Sequence, residues 1–166
     1  MCSRRSRTRG PSDHGAYPRA AGAGKRVLFL QFDKGFDPAR GEHYAERKIL
    51  RKIPEITVFP TGCERMRADG TFRFGVEPED LAESARGLAE ARRAVASKDF
   101  DLVILDEALG ALAYGLLQED EIVSVLDAYD AVRQGVPPLC IYLPRGRETK
   151  GVSCVRRPMA DLSGRR

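Results

Sequence analysis

The run Asp101-Leu102-Val103-Ile104-Leu105-Asp106-Glu107 carries the residues best spaced for chemistry, an unbroken apolar stretch that ends in two adjacent carboxylates. A strand buried on both faces of a parallel sheet is continuously hydrophobic, and an acid at its end can hold a Mg²⁺ that is itself bound to phosphate. This is the form of a Walker B strand. Its usual companion is a loop of the form GxxxxGK[ST], whose backbone N–H groups and lysine cradle the phosphates. No such string occurs in the sequence. The alternative is that the two acids simply end a strand at the carboxyl edge of a sheet.

Other residue types offer less. The four cysteines, Cys2, Cys63, Cys140 and Cys154, show no CxxC spacing, and His14 and His43 are the only histidines. That argues against a zinc site and removes most histidine-based catalytic arrangements. The net charge of +4 and the pI near 9.0 point to the ends of the chain. Arg4, Arg5, Arg7 and Arg9 open it, Arg156, Arg157, Arg165 and Arg166 close it, and the middle is near neutral. A charge excess confined to tails argues against a nucleic-acid partner. No apolar run approaches the roughly 18 residues of a membrane span, and the Arg-rich start lacks the apolar stretch of a secretory signal. Cytoplasm is the expected compartment.

With 166 residues, 42% of them hydrophobic, the chain is sized for one domain with a substantial core. Residues 1–18 are Arg, Ser, Gly and Pro without apolar periodicity and are expected to be a disordered basic tail. Residues 19–144 read as an α/β domain, and 145–166 as an irregular tail. Within the domain Gly22 to Gly24 reads as a turn, followed by a buried strand from Arg26 to Phe32. A helix is expected from Pro38 to Lys52 with Tyr44, Ile49 and Ile53 on one face, then a strand over Ile56 to Phe59. Glu77-Pro78-Glu79-Asp80 starts a helix whose stripe Leu81, Ala85, Leu88, Ala91 and Val95 should face a sheet. After the Asp101–Glu107 strand come a short helix through Leu109, Leu112 and Leu116, a helix from Glu119 to Gln134 with Ile122, Val125, Leu126 and Tyr129 inward, and a last strand, Leu139 to Leu143. Strands alternating with helices predict a mainly parallel sheet flanked by helices.

Several strings, in order, resemble the corrinoid adenosyltransferases. They are Arg19-Ala20-Ala21-Gly22-Ala23-Gly24-Lys25-Arg26-Val27, Gln31-Phe32-Asp33-Lys34-Gly35, Glu46-Arg47-Lys48 and Leu102 to Glu107, and the likeness covers Arg19 to Leu143. The resemblance implies a RecA-like P-loop fold and a cytoplasmic homodimer. It also implies ATP with Mg²⁺ or Mn²⁺, and transfer of the 5′-deoxyadenosyl group to cob(I)alamin or cob(I)yrinic acid a,c-diamide, with release of triphosphate, in adenosylcobalamin biosynthesis. Co(I) is a strong nucleophile, so such a protein mainly positions two reactants and stabilises charge on the departing triphosphate. Carried over from the family's motif, Glu107 is the metal ligand, with Asp106 second and able to orient it through water.

The departures matter as much. The family has a strand and a GKGKTT-like phosphate loop just before its Arg-Ala-x-Gly string; here Gly10 to Pro18 fills that place, with no lysine or threonine. The expected architecture thus lacks the first strand and the phosphate loop. Losing even one well-placed oxyanion donor costs on the order of a hundredfold in rate, so impaired turnover is expected. Where many members carry Gly-Phe-Thr-Trp, whose aromatics cover the cobalt's lower face, this chain has Gly62-Cys63-Glu64-Arg65. Phe72 and Phe74, with Arg65, are the candidate corrinoid-loop residues, as in a variant subgroup; plain anchoring of a loop is the alternative. Cys63 reads better as a half-buried thiol without a role than as a cobalt ligand.

Beyond Leu143 the family's Thr-Gly-Arg-Gly-like turn, further helix and ending are not recognisable. Abrupt passage into Arg-, Ser-, Gly- and Pro-rich sequence at both ends is what a shifted reading frame of GC-rich DNA produces. Three readings follow: an adenosyltransferase, a non-catalytic corrinoid-binding or regulatory module, and an unrelated α/β scaffold.

Overall fold

The computed structural model describes residues 16–36, 38–39, 41–67, 69–132 and 140–142. Residues 1–15 of the expected tail at 1–18, the whole expected tail at 145–166, and the ends of the last helix and strand lie outside these residues. Four parallel strands form one sheet: β1 (Val27–Gln31), β2 (Ile56–Pro60), β3 (Leu102–Asp106) and β4 (Cys140–Tyr142), in the order β2-β1-β3-β4. This is the α/β architecture of P-loop-like proteins. Every residue of β1 is buried, because it is central in the sheet and covered on both faces.

The side-chain period of two divides the strands between two cores. Leu28, Leu30, Val103 and Leu105, with Phe32 just past β1, pack with α3 (Pro78–Ser97), α4 (Ala108–Ala113) and α5 (Glu119–Val132). Val27, Phe29, Ile104, Leu102 and Ile56 pack on the other side with Ala20 and Ala21 of α1 (Ala16–Gly22) and Leu50 of α2 (Ala45–Leu50). Full burial of each such aliphatic or aromatic side chain is worth about 1.5–3 kcal/mol, so this alternation fixes the sheet's register. Ile122 and Val125 of α5 are buried, and Leu126 and Tyr129 are partly buried against the same core, as their spacing predicts.

Four local expectations are corrected. First, α1 begins at Ala16, three residues inside the segment read as coil, and runs through Gly22, part of the expected turn. Pro18 is tolerated because the N–H groups of a first helical turn have no intrahelical acceptor. The tract is retained because Tyr17 packs edge-on against Phe29 at 5.3 Å and Ala20 and Ala21 are buried.

Second, the helix expected from Pro38 shrinks to Ala45–Leu50. Gly41 takes a φ of +71°, Tyr44 is extended, and the Tyr44 N–H donates to the Glu42 carboxylate at 3.1 Å, a local bond that competes with helix. Third, its inward residues are Arg47 and Leu50, while Ile49 is exposed. Fourth, at the start of α3 the inward residues are Asp80, Ser84 and Gly87, with Leu81 and Ala85 turned out. Asp80 is drawn inward by an ion pair with Arg73, and Gly87 has no room for a side chain, since a Cβ there would lie 2.7 Å from the Phe32 ring and 3.0 Å from the Thr61 hydroxyl.

Candidate functional site

β1 and β3 end level with one another: Gln31 pairs with Asp106, and the Phe32 N–H donates to the Asp106 carbonyl at 3.0 Å. Directly past these ends, Asp33 and Glu107 take positive φ values of 50° and 59°. A left-handed conformation costs a non-glycine residue on the order of 1–2 kcal/mol, and such residues gather at functional sites. Both turns lie at the carboxyl edge of the sheet, where open parallel α/β sheets bind ligands.

Lys34 emerges from the β1 turn into three carboxylates. Its Nζ lies 3.4 Å from Glu46, 3.6 Å from Glu107 and 3.7 Å from Asp106, and 5.5 Å from the Tyr44 ring centre. Burial pulls the Lys34 ammonium down, yet Asp106, Glu107 and Glu46 together hold it above its ordinary value. Burial likewise pushes the Glu46 carboxyl up, but its own backbone N–H and Lys34 outweigh that and leave it below the usual carboxylate range. Glu107 is half exposed and Asp106 is largely buried.

Beneath this cluster lies Arg47, fully buried on α2. Its Nε donates to Gln31 Oε1 at 2.5 Å, its Nη1 to the Gly35 carbonyl at 3.0 Å, and its Nη2 to the Lys34 carbonyl. The guanidinium is stacked 4.3 Å from the Tyr44 ring centre, and Glu42 lies 3.6 Å away. Gln31 Nε2 in turn donates to Asp106 Oδ2 at 2.9 Å. Composition and periodicity single out neither Arg47 nor Gln31; the only signal is that each lies inside one string of the family likeness.

The segment from Thr61 to Glu77 forms the second wall. Its backbone is knit to the β1 turn: a Cβ on Gly35 would lie 2.2 Å from the Glu64 nitrogen, and one on Gly62, at φ +108°, 2.7 Å from the Asp33 Cα. The Lys34 N–H donates to the Thr61 carbonyl at 3.0 Å. Arg65 turns inward, with Nε donating to Asp33 Oδ1 at 2.8 Å and Nη1 to the Gly75 carbonyl at 2.6 Å. Arg73 makes a two-pronged pair with buried Asp80, at 2.8 and 2.6 Å. The Asp80 carboxylate also accepts from the Glu77 N–H at 2.9 Å, closing a capping box at the start of α3. The bond from Arg73 outweighs burial and holds Asp80 at about 2. Burial and Asp80 push the Cys63 thiol up, which disfavours the reactive thiolate.

Between these anchors Met66 and Phe72 form an antiparallel bridge, and Phe72 and Phe74 meet edge-on at 5.2 Å. Phe72 is 47% exposed and Phe74 85%. Of the residues picked from the sequence, Asp106 and Glu107 stand together at the sheet edge, Phe72 and Phe74 stand together on the outer loop, and Arg65 joins that loop to the edge through Asp33.

Among the described residues no three acidic, His or Cys side chains converge into a metal cage. A nucleotide-bound Mg²⁺ is ordinarily held by one or two carboxylates, the phosphates and water supplying the rest. The oxygen-only pair of Asp106 and Glu107 therefore suits a hard cation brought in with phosphate. Among the described residues no helix is long and apolar enough to cross a membrane.

The profile of the family ATP:corrinoid adenosyltransferase BtuR/CobO/CobP matches residues 7–135. The chain belongs to this family. The match begins ahead of Arg19 and ends before the last strand, so its span differs from that of the motif likeness at both ends. A corrinoid adenosyltransferase of Pseudomonas aeruginosa is 28% identical over 125 residues, covering 75% of this chain and 57% of that protein. An uncharacterized protein of Nostoc sp. is 34% identical over 104 residues, covering 61% of this chain and 26% of that protein. The chain thus spans about a quarter of one relative and somewhat over half of the other.

Proposed function

We propose that this α/β unit performs, or derives from one that performs, transfer of the 5′-deoxyadenosyl group of ATP to a corrinoid, cob(I)alamin or cob(I)yrinic acid a,c-diamide, in adenosylcobalamin biosynthesis. Membership of the family supports the reaction class. The observation that carries the reading to particular residues is the Lys34 ammonium set among Asp106, Glu107 and Glu46 where β1 and β3 end. In the reaction the electron pair of Co(I) forms the bond to the ATP 5′ carbon, and the pair of the breaking carbon–oxygen bond leaves with triphosphate.

Asp106 and Glu107 are the residues that would hold Mg²⁺ or Mn²⁺. When bound, that cation offsets charge on the triphosphate. Lys34, kept protonated by its three carboxylates, supplies a positive charge at the same edge. Phe72 and Phe74 offer exposed apolar surface for contact with a corrinoid face, and Arg65 braces the loop carrying them. The family likeness is also the ground for proposing a homodimer in the cytoplasm.

A second reading, a non-catalytic corrinoid-binding or regulatory module or a decayed gene product, is favoured by one specific observation: the sequence contains no GxxxxGK[ST]. Ligand titrations of the purified chain separate the two. The proposal expects Mn²⁺·ATP binding that weakens at least about tenfold in Glu107→Gln, since losing even the outer partner of a metal ligand costs that much, with cobalamin binding unchanged. Cobalamin binding with no nucleotide dependence establishes the second reading instead.

A further inference from the structure

We propose that Gln31 is a positioning residue for Asp106, and that buried Arg47 sets its orientation and so governs how strongly this edge holds a divalent cation with ATP. This rests on the reading of Asp106 and Glu107 as the cation-holding pair.

A guanidinium can only donate hydrogen bonds and an ionised carboxylate can only accept them, so no group that only donates or only accepts can join the two. Gln31 joins them: Oε1 receives Arg47 Nε at 2.5 Å and Nε2 gives to Asp106 Oδ2 at 2.9 Å. The reversed amide would set NH₂ against the guanidinium and oxygen against the carboxylate, so Arg47 dictates which way the amide points. Gln31 is fully buried as the last residue of the central strand and stands beside Asp106 in the β ladder, which leaves its head little freedom to relax.

The same arginine also holds the other partner of the Lys34–Asp106 contact. It accepts no bonds itself, and two of its nitrogens are committed to the carbonyls of Lys34 and Gly35, at the root of the turn from which the Lys34 side chain leaves. One buried cation therefore fixes the acid through an amide and the lysine through its backbone. Hydrogen bonds to the outer side of a metal-holding carboxylate orient it, and removing such a partner ordinarily costs roughly ten- to a hundredfold in metal affinity.

The experiment is a double-mutant cycle on the full chain, with Mn²⁺·ATP affinity read by the electron paramagnetic resonance signal of free Mn²⁺ and urea midpoints recorded in parallel. Gln31→Met is expected to weaken binding by roughly tenfold in the otherwise native chain and by clearly less, at most about threefold, in an Asp106→Asn background, since the part that passes through Asp106 is then gone and only the bond of Gln31 to Glu46 remains to be lost. A purely structural role would weaken both backgrounds alike, and that result overturns the inference. So does unchanged affinity in Gln31→Met while Asp106→Asn and Glu107→Gln each weaken binding. If Asp106→Asn and Glu107→Gln both leave affinity unchanged, the cation site itself is lost and the inference falls with it. Should Gln31→Met not fold, Gln31→Glu takes its place in the cycle. It keeps an acceptor for Arg47 but turns an oxygen toward Asp106, and the same pattern of losses is expected.

Discussion

At the carboxyl edge of β1 and β3 Asp106 is held by a chain of buried and part-buried hydrogen bonds, whereas the 61–77 loop is fastened at its roots and leaves its aromatic tip in solvent. Asp106 is bound by Gln31, Gln31 by Arg47, and Arg47 by two backbone carbonyls. Phe74, by contrast, is 85% exposed and its described ring contact is with Phe72. The difference matches what the proposed function asks of each region. Charge is stabilised best by groups that do not reorganise, while an apolar ligand face needs surface that can be uncovered and covered again. The two regions meet at Gly35 and Gly62, where backbones touch with no side chain between them.

The sharpest way to break the contrast is at that seam. In Gly35→Ala the new Cβ would lie 2.2 Å from the Glu64 nitrogen and 2.3 Å from the Cys63 carbonyl carbon, backbone atoms that cannot swing aside. The expected loss is at or beyond the roughly 3 kcal/mol upper end of ordinary overpacking, read as a fall in urea midpoint. Both regions should suffer, with Mn²⁺·ATP and cobalamin binding reduced together.

A smaller effect isolates the loop root. Asp80→Asn is expected to cost about 2 kcal/mol at neutral pH. That is less than the roughly 3–5 kcal/mol of a fully broken buried pair, because the amide oxygen still accepts from the Glu77 N–H. The sign of its pH dependence follows from the depressed carboxyl. Held at about 2 in the folded chain against 3.8 ordinarily, Asp80 contributes fully above the ordinary value and loses its contribution as pH falls toward 2. The stability gap between the native chain and Asp80→Asn should therefore be constant above about pH 5 and close between about pH 4 and 2 in chemical denaturation series.

At the loop tip the effect on folding should nearly vanish. Phe74→Ala is expected to change stability by no more than about 0.5 kcal/mol, as for an exposed residue outside the core, while weakening cobalamin binding several-fold in absorbance titrations. A loss of stability without loss of cobalamin binding would mark Phe74 as a loop anchor and sharpen the contrast in the opposite direction.

What the sequence disclosed follows the physics of each element. Continuous apolar strands and the acids ending β3 were legible because burial on both faces leaves an unambiguous pattern, and α5 because its stripe is regular. Arg47 was not, since a charged residue at a helix position reads as solvent-facing until Gln31, two carbonyls and Tyr44 are known to surround it. The start of α3 departs from its apolar stripe for a related reason: Asp80 is inward and Leu81 outward because Arg73 from the preceding loop pairs with Asp80. The shortness of α2 depended on Gly41 and on one side-chain acceptor at Glu42, which no periodicity reports.

The most direct measurement of the central claim replaces Mg²⁺ by Fe²⁺ and adds ascorbate and peroxide, so that the backbone is cut next to the bound cation, with fragments identified by mass spectrometry. The account predicts cleavage at residues 31–36 and 105–108 that requires ATP and is lost in Glu107→Gln. Cuts confined to other parts of the chain, or a pattern indifferent to ATP and to Glu107, would contradict it.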